Sequence, residues 1–259
     1  MSAVTVAGTT GPGLRGLVTA HLIALRTRGG LVLLALMALV PLAVMIGGLV
    51  RGQQTFGLSG ADLARPLTDN IGNQLFALLL GTVLAGSAYR HGTIVPTLLA
   101  APRRPRVVAS ALLAAGGVTA ALTVVCALLG AAIALPWLAG QGVPLGEVVA
   151  DPRLWSRALG QIAAVTAIAV LGAALAVLLR GVLGAVLVFV GVGVLESFVI
   201  GMLSPEWTRL RFFSALATVA DPTEVDPTMP VWVAVVLLTG FLTAVITAAL
   251  VATVRRDAA

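Results

Sequence analysis

The sequence has no lysine, one cysteine, two histidines and one tyrosine, and only 10% of its 259 residues are charged. Each shortage excludes something. Without lysine the chain cannot form a GxxxxGK[ST] phosphate loop, whose lysine reaches the β- and γ-phosphates. It therefore carries no Walker-type ATPase of its own and reads as a non-enzyme. The lone Cys126 allows neither an internal disulfide nor a thiolate metal cluster. It lies inside an apolar block and reads as a small buried apolar residue. His21 and His91 stand in no metal-ligand spacing, so no metal site is expected. All sixteen basic residues are arginine, and the net charge is +6. They sit at the ends of apolar blocks rather than among aromatic residues, so the charge does not point to nucleic acid.

Hydrophobic residues make up 59% of the chain, and the mean hydropathy is +1.08. A soluble domain carries about 25% charged residues, and one this apolar would expose patches that soluble monomers do not tolerate. The apolar residues come in long blocks, not in the alternating runs of a membrane β-barrel. Inside lipid the backbone must satisfy its own hydrogen bonds, which leaves a helical bundle. The expected fold is an all-α polytopic membrane protein with six transmembrane helices, an N-terminal interfacial helix and a short outer helix between the fifth and sixth spans.

Residues 1–13 are small and polar, without the charged start of a signal peptide, and read as a disordered tail. Residues 14–259 read as one membrane domain. Leu14, Leu17, Val18, Leu22 and Leu25 recur at helical spacing with Arg15, Arg26 and Arg28 available for headgroups, which suits an interfacial helix or an extension of the first span. The spans are expected at about 30–50, 71–88, 107–135, 158–179, 182–203 and 231–254. Most approach the roughly 20 residues that cross the hydrocarbon core, and the third is longer. A single helix over residues 158–203 would have 46 residues and be about 69 Å long. The chain must therefore turn at Arg180–Gly181, where glycine permits a tight reversal.

Orientation follows arginine asymmetry. With both termini in the cytosol, ten arginines fall inside and six outside. The expected location is the cytoplasmic membrane, with both termini cytosolic. Glu196 is the only charged residue well within a span, and an intramembrane acid is a functional candidate by default. It can line a pathway, bind a proton or cation, hydrogen-bond the backbone of the outer helices, or pair with Arg209 or Arg211. Ser204-Pro205-Glu206 reads as a helix start, followed by Trp207, Leu210, Phe213 and Ala217 on one face. That face suits either an outer gate or a surface helix anchored by Trp207. Asn70, Asn73 and Gln74 share one face at the outer end of the second span, and Gly116-Gly117, Gly130, Gly191 and Gly193 permit close helix packing.

The stretch Ala88–Arg106 combines a polar turn, a short apolar segment and a basic exit. It can be a simple loop, or a surface helix shaped to dock a soluble partner. Tyr89-Arg90-His91-Gly92-Thr93, then Leu98-Leu99, then Pro102-Arg103-Arg104 resembles the signature of ABC-2 type permeases, particularly their actinobacterial branch. Leu25-Arg26-Thr27-Arg28 is similar to that family's basic segment before the first span. Glu196 and Pro205-Glu206-Trp207 are similar to its fifth span and outer helical region. Ala88 stands where the family carries an acid, and Ser110 where it carries a lysine.

The resemblance covers nearly the whole chain. It implies a permease subunit that exports a lipid, hydrophobic drug or secondary metabolite, with residues 89–104 contacting a separate ABC ATPase. ATP and magnesium would sit on that partner, and this chain would hold no cofactor. Two copies, or one copy and a paralogue, would form the pathway. The competing readings are an ion-coupled secondary transporter, which would need charge near the midplane, an intramembrane enzyme, and a non-transporting membrane scaffold.

Overall fold

Once water is excluded, an apolar segment satisfies its backbone only by bonding to itself, and the described residues of this chain do so almost throughout. The computed structural model describes residues 13–50, 71–90, 104–140, 142, 144–196, 198, 211–223 and 229–255. Among the described residues every regular element is a helix. In chain order these are α1 (Leu14–Ala24), α2 (Arg28–Val50), α3 (Ile71–Arg90), α4 (Arg104–Gly140), α5 (Leu145–Ala150), α6 (Pro152–Leu179), α7 (Val182–Leu195), α8 (Phe212–Ala220) and α9 (Val231–Arg255).

α4, α6 and α9 are long and apolar enough to cross a membrane. α1, α2, α3 and α7 contribute shorter described apolar stretches. The expected third block is indeed the longest, at 37 residues. The fourth begins earlier than its hydropathy suggests. Asp151 caps α6, its Oδ1 accepting the Arg153 N–H at 2.8 Å, with Pro152 in the first turn. A capped proline start of this kind brings polar residues into a helix ahead of its apolar run.

α6 is the central helix and packs against α3, α4, α7, α8 and α9. Its stretch from Leu171 to Val177 is continuously buried. α2, α4 and α9 turn large apolar side chains outward, among them Leu39, Leu128 and Val236, as a lipid-facing shell does. The closest seam joins α3 to α6. Ala77, Gly81 and Ala85 recur every fourth residue and are buried. A Cβ on Gly81 would overlap the Ala169 carbonyl oxygen, and one on Gly172 would fall 2.7 Å from the Leu78 carbonyl oxygen. Small residues let the two backbones meet where lipid supplies no hydrophobic drive between helices. On α9 the outward Thr239, Thr243 and Thr247 donate to the carbonyls of Val235, Thr239 and Thr243 at 2.7 Å each. Their hydroxyls are thus satisfied within the helix.

The reversal between α6 and α7 falls at the expected position but uses the other residue. Arg180 takes the left-handed conformation, with φ 54°, while Gly181 is extended. The Arg180 N–H donates to the Val177 carbonyl at 3.4 Å and the Gly181 N–H to the Ala176 carbonyl at 3.1 Å. These two bonds close a Schellman turn, in which the left-handed residue directly follows the last helical one. That residue is Arg180, so the expectation that glycine supplies the reversal is corrected. A non-glycine residue there carries a penalty of about 1 kcal/mol. Arg180→Gly is expected to stabilise the protein by about 0.5 kcal/mol, read as a higher thermal midpoint in detergent.

Contacts sort the helix ends into two groups. At one end Leu17 of α1 meets Val107 of α4, His21 bonds the Leu84 backbone of α3, and Gly86 of α3 lies against Val182 of α7. Arg15, Arg26, Arg28, Arg90, Arg104, Arg106, Arg180 and Arg255 belong to this end. The other end holds Arg153, Arg157 and Arg211, together with the four described acids, Glu147, Asp151, Glu196 and Asp221. It also carries Trp137, Trp155 and Trp232, the last two 56% and 70% exposed, as an aromatic belt at a membrane interface requires.

Candidate functional site

The expected outer helix falls partly outside the described residues, which resume at Arg211. Among the described residues it is α8, capped by Arg211 in an extended conformation. Trp207 and Leu210 lie outside the described residues. Phe213 is half-buried, but Ala217 is exposed, and the buried face is Phe212, Ala215, Leu216 and Val219. Phe213 packs among aromatic rings. Its ring stands edge-on to Phe189 of α7 at 5.2 Å and to Phe212 at 5.3 Å, and Phe212 in turn meets Phe241 of α9 at 5.2 Å. α8 is thereby inserted among α6, α7 and α9 at the tryptophan-bearing end.

Ionisable groups from two different helices hold its ends. α7 stops at Leu195, and the chain passes into a π-helical turn at Glu196 and Phe198. Such a turn re-aims side chains that a regular helix would point elsewhere. Glu196 is 7% exposed, and both of its oxygens are engaged. Oε1 accepts the Phe212 N–H at 2.8 Å and Oε2 the Phe213 N–H at 3.0 Å. These are the first amides of α8, which have no partner within their own helix. The carboxylate also lies at the positive end of the α8 dipole. Of the readings open for Glu196, the observed geometry is the bond to the outer-helix backbone.

Residue Arg157 of α6, 4% exposed, secures the other end. Its Nε donates to Asp221 Oδ1 at 2.8 Å and also bonds the Thr223 hydroxyl. Asp221 directly follows α8 and accepts from the Thr223 N–H at 3.1 Å and the Thr223 hydroxyl at 2.7 Å. Burial raises the Asp221 carboxyl, but the bonds from Thr223 and Arg157 together outweigh it and hold the group below its ordinary value. This contribution to stability is complete above the unfolded pKa and is lost as pH falls through the lower folded one. Gly160 closes the contact, since any Cβ there would overlap the Val219 carbonyl oxygen.

Sequence reasoning singled out Glu196 but not Arg157 or Asp221. The signal was present. Arg157 and Gln161 precede Ala164 and Ile168 at helical spacing, which puts an arginine on the buried face of α6.

An alanine at position 196 strands two buried amides, whereas glutamine keeps one acceptor. Glu196→Ala is expected to cost about 2 kcal/mol and Glu196→Gln about 1 kcal/mol. Faster hydrogen exchange at the Phe212 and Phe213 amides, ahead of global unfolding, is the check.

At the arginine-rich end, Tyr89 and Arg90 close α3, and Arg104 opens α4. His91, Gly92, Thr93, Leu98, Leu99, Pro102 and Arg103 lie outside the described residues. Tyr89 is half-buried. Ser110, at the position where the resembled family carries lysine, is fully buried and donates to the Val107 carbonyl at 2.7 Å. That position therefore faces the bundle rather than a docked partner. At the opposite end of α3, Gln74 is half-buried, while Asn70 lies outside the described residues. Among the described residues no cluster of His, Cys, Asp and Glu could hold a metal.

No family model, curated protein or solved structure matches the chain.

Proposed function

We propose that this chain is the membrane-spanning permease subunit of an ABC-type exporter, with six crossings and both termini in the cytosol of a cytoplasmic membrane. A separate ABC ATPase, carrying ATP and magnesium, would engage Tyr89–Arg104. Two permease chains, identical or paralogous, would form the route for a lipid, hydrophobic drug or secondary metabolite. One observation carries the reading. The Tyr89-Arg90-His91-Gly92-Thr93 to Pro102-Arg103-Arg104 pattern runs in sequence from the close of α3 at Arg90 to the opening of α4 at Arg104, both at the arginine-rich end.

Three features support it. α2 and α3, at 23 and 20 residues, are long enough to join α4, α6 and α9 as crossings. α7 supplies the sixth if the chain continues past its π turn. The arginine bias supports a cytosolic side for the end where α3 closes and α4 opens. Glu196, the acid described within an apolar block, has both oxygens engaged by amides, which argues against its use as an ion-coupling carboxylate. On this reading the α8 clasp closes the outer end of the route.

The test is purification from native membranes in mild detergent, followed by reconstitution with the co-purifying ATPase. The expected result is ATP-dependent extrusion of a hydrophobic dye, abolished when Arg103 and Arg104 are replaced by glutamate. Dye movement by this chain alone, driven by an ion gradient without nucleotide, would establish the secondary-transporter reading instead.

A further inference from the structure

We propose that α1 and the start of α4 form a binding surface for anionic lipid headgroups. The inference rests on the chain being embedded in a membrane and not on what it transports. α1 divides cleanly into two faces. Its inner face is committed: Leu17 packs on Val107 of α4, and His21 bonds the Leu84 backbone of α3. The outer face runs Arg15, Thr19, Leu22 and Arg26, at steps of four, three and four residues, which is one stripe of a helix and the turn that extends it. The Arg26 N–H donates to the Ile23 carbonyl at 3.0 Å, which continues the winding past Ala24.

All four stripe residues are exposed. Leu22 is 40% exposed and the adjacent Ile23 60%. The surface is therefore apolar between two cations about 16 Å apart along the axis. Arg106, also exposed, is one residue from the Val107 contact and adds a third cation beside the helix. The Thr19 hydroxyl is taken up by the Arg15 carbonyl at 2.9 Å.

Charge complementarity selects the occupant. All four described acids lie at the opposite end, so none of them neutralises these arginines. A soluble acidic partner would leave Leu22 and Ile23 in water. A lipid leaflet takes both parts, acyl chains against the apolar pair and anionic headgroups against the arginines. Neutral lipid satisfies only the first. Each arginine near an anionic leaflet contributes about fivefold in affinity, and the preference is screened by salt.

The test titrates the purified full chain, in neutral detergent, with phosphatidylglycerol, phosphatidylcholine or inorganic phosphate while following its thermal midpoint. Phosphatidylglycerol is expected to raise the midpoint in a salt-sensitive way, and the other two to leave it nearly unchanged. Arg15→Gln with Arg26→Gln should raise the half-maximal phosphatidylglycerol concentration by about 25-fold. Its lipid-free midpoint should not move, because both side chains are exposed. Arg153→Gln, at the opposite end, should leave the titration as it is. An equal response to phosphatidylcholine, saturation by phosphate alone, or an unshifted titration in the double variant would overturn the proposal.

Discussion

A Gly81→Val variant is expected to remain inserted in the membrane yet lose the packed bundle. Gly81 is where α3 and α6 meet backbone to backbone, with the Ala169 carbonyl oxygen in the space a side chain would need. The obstruction is main chain in the central helix, so no rotamer change relieves it. The two helices would have to separate, and the buried neighbours Ala77, Ala85, Ala169 and Ala173 would lose contact together. Overpacking a well-filled core costs about 1 to 3 kcal/mol when side chains can adjust, and more when they cannot. The expected loss is therefore about 3 kcal/mol or more. Gly117→Ala on α4 is the control, because nothing lies within 4 Å of its added methyl. It should gain up to about 1 kcal/mol in helix propensity. Thermal unfolding of both variants in the same detergent separates a packing defect from a general intolerance of larger residues.

The second large effect is an asymmetry in the clasp between α6 and α8. Removing Asp221 takes a hydrogen-bonded counter-charge from the buried Arg157 guanidinium, and breaking a buried pair in this way costs about 3 kcal/mol. Removing Arg157 leaves a carboxylate whose side chain is 28% exposed. Water and the two Thr223 bonds can still satisfy it. Arg157→Met, which also keeps the apolar stem, is expected to cost about 1 kcal/mol. Asp221→Ala should therefore be much the worse of the two. The double variant should recover most of the difference, since the buried guanidinium is removed together with its partner. A double-mutant cycle by thermal unfolding at neutral pH measures this. Equal losses in the two single variants would mean that the pair is screened by solvent and not held dry.

Much of the architecture was legible in the sequence because its signals are local. Block length against bilayer thickness located the helices, and the 46-residue run at 158–203 required a reversal at Arg180–Gly181. What composition cannot encode is which residue of that pair takes the left-handed conformation. The answer depends on where the last helical hydrogen bond falls, and it falls at Leu179. The α3–α6 seam was equally hidden. Ala77, Gly81 and Ala85 show the right spacing, but the chain has 29 glycines, and spacing alone does not say which of them meets another backbone. Glu196 stood out because charge is rare inside an apolar block, while the bonds it makes depend on α8, the next described helix, 16 residues on. Arg157 and Asp221 are 64 residues apart. Near a headgroup layer, where charges are ordinary, neither one announces the other.

The account turns on the side of the membrane to which the arginine-rich end belongs. In a Cys126→Ala background, Thr97→Cys and Gly146→Cys report the two ends separately to a membrane-impermeant maleimide applied to intact cells. Gly146 is exposed beside the tryptophan-bearing end. The account predicts labelling of Gly146→Cys in intact cells, and of Thr97→Cys only after permeabilisation. Labelling of Thr97→Cys from outside, with Gly146→Cys protected, would contradict it.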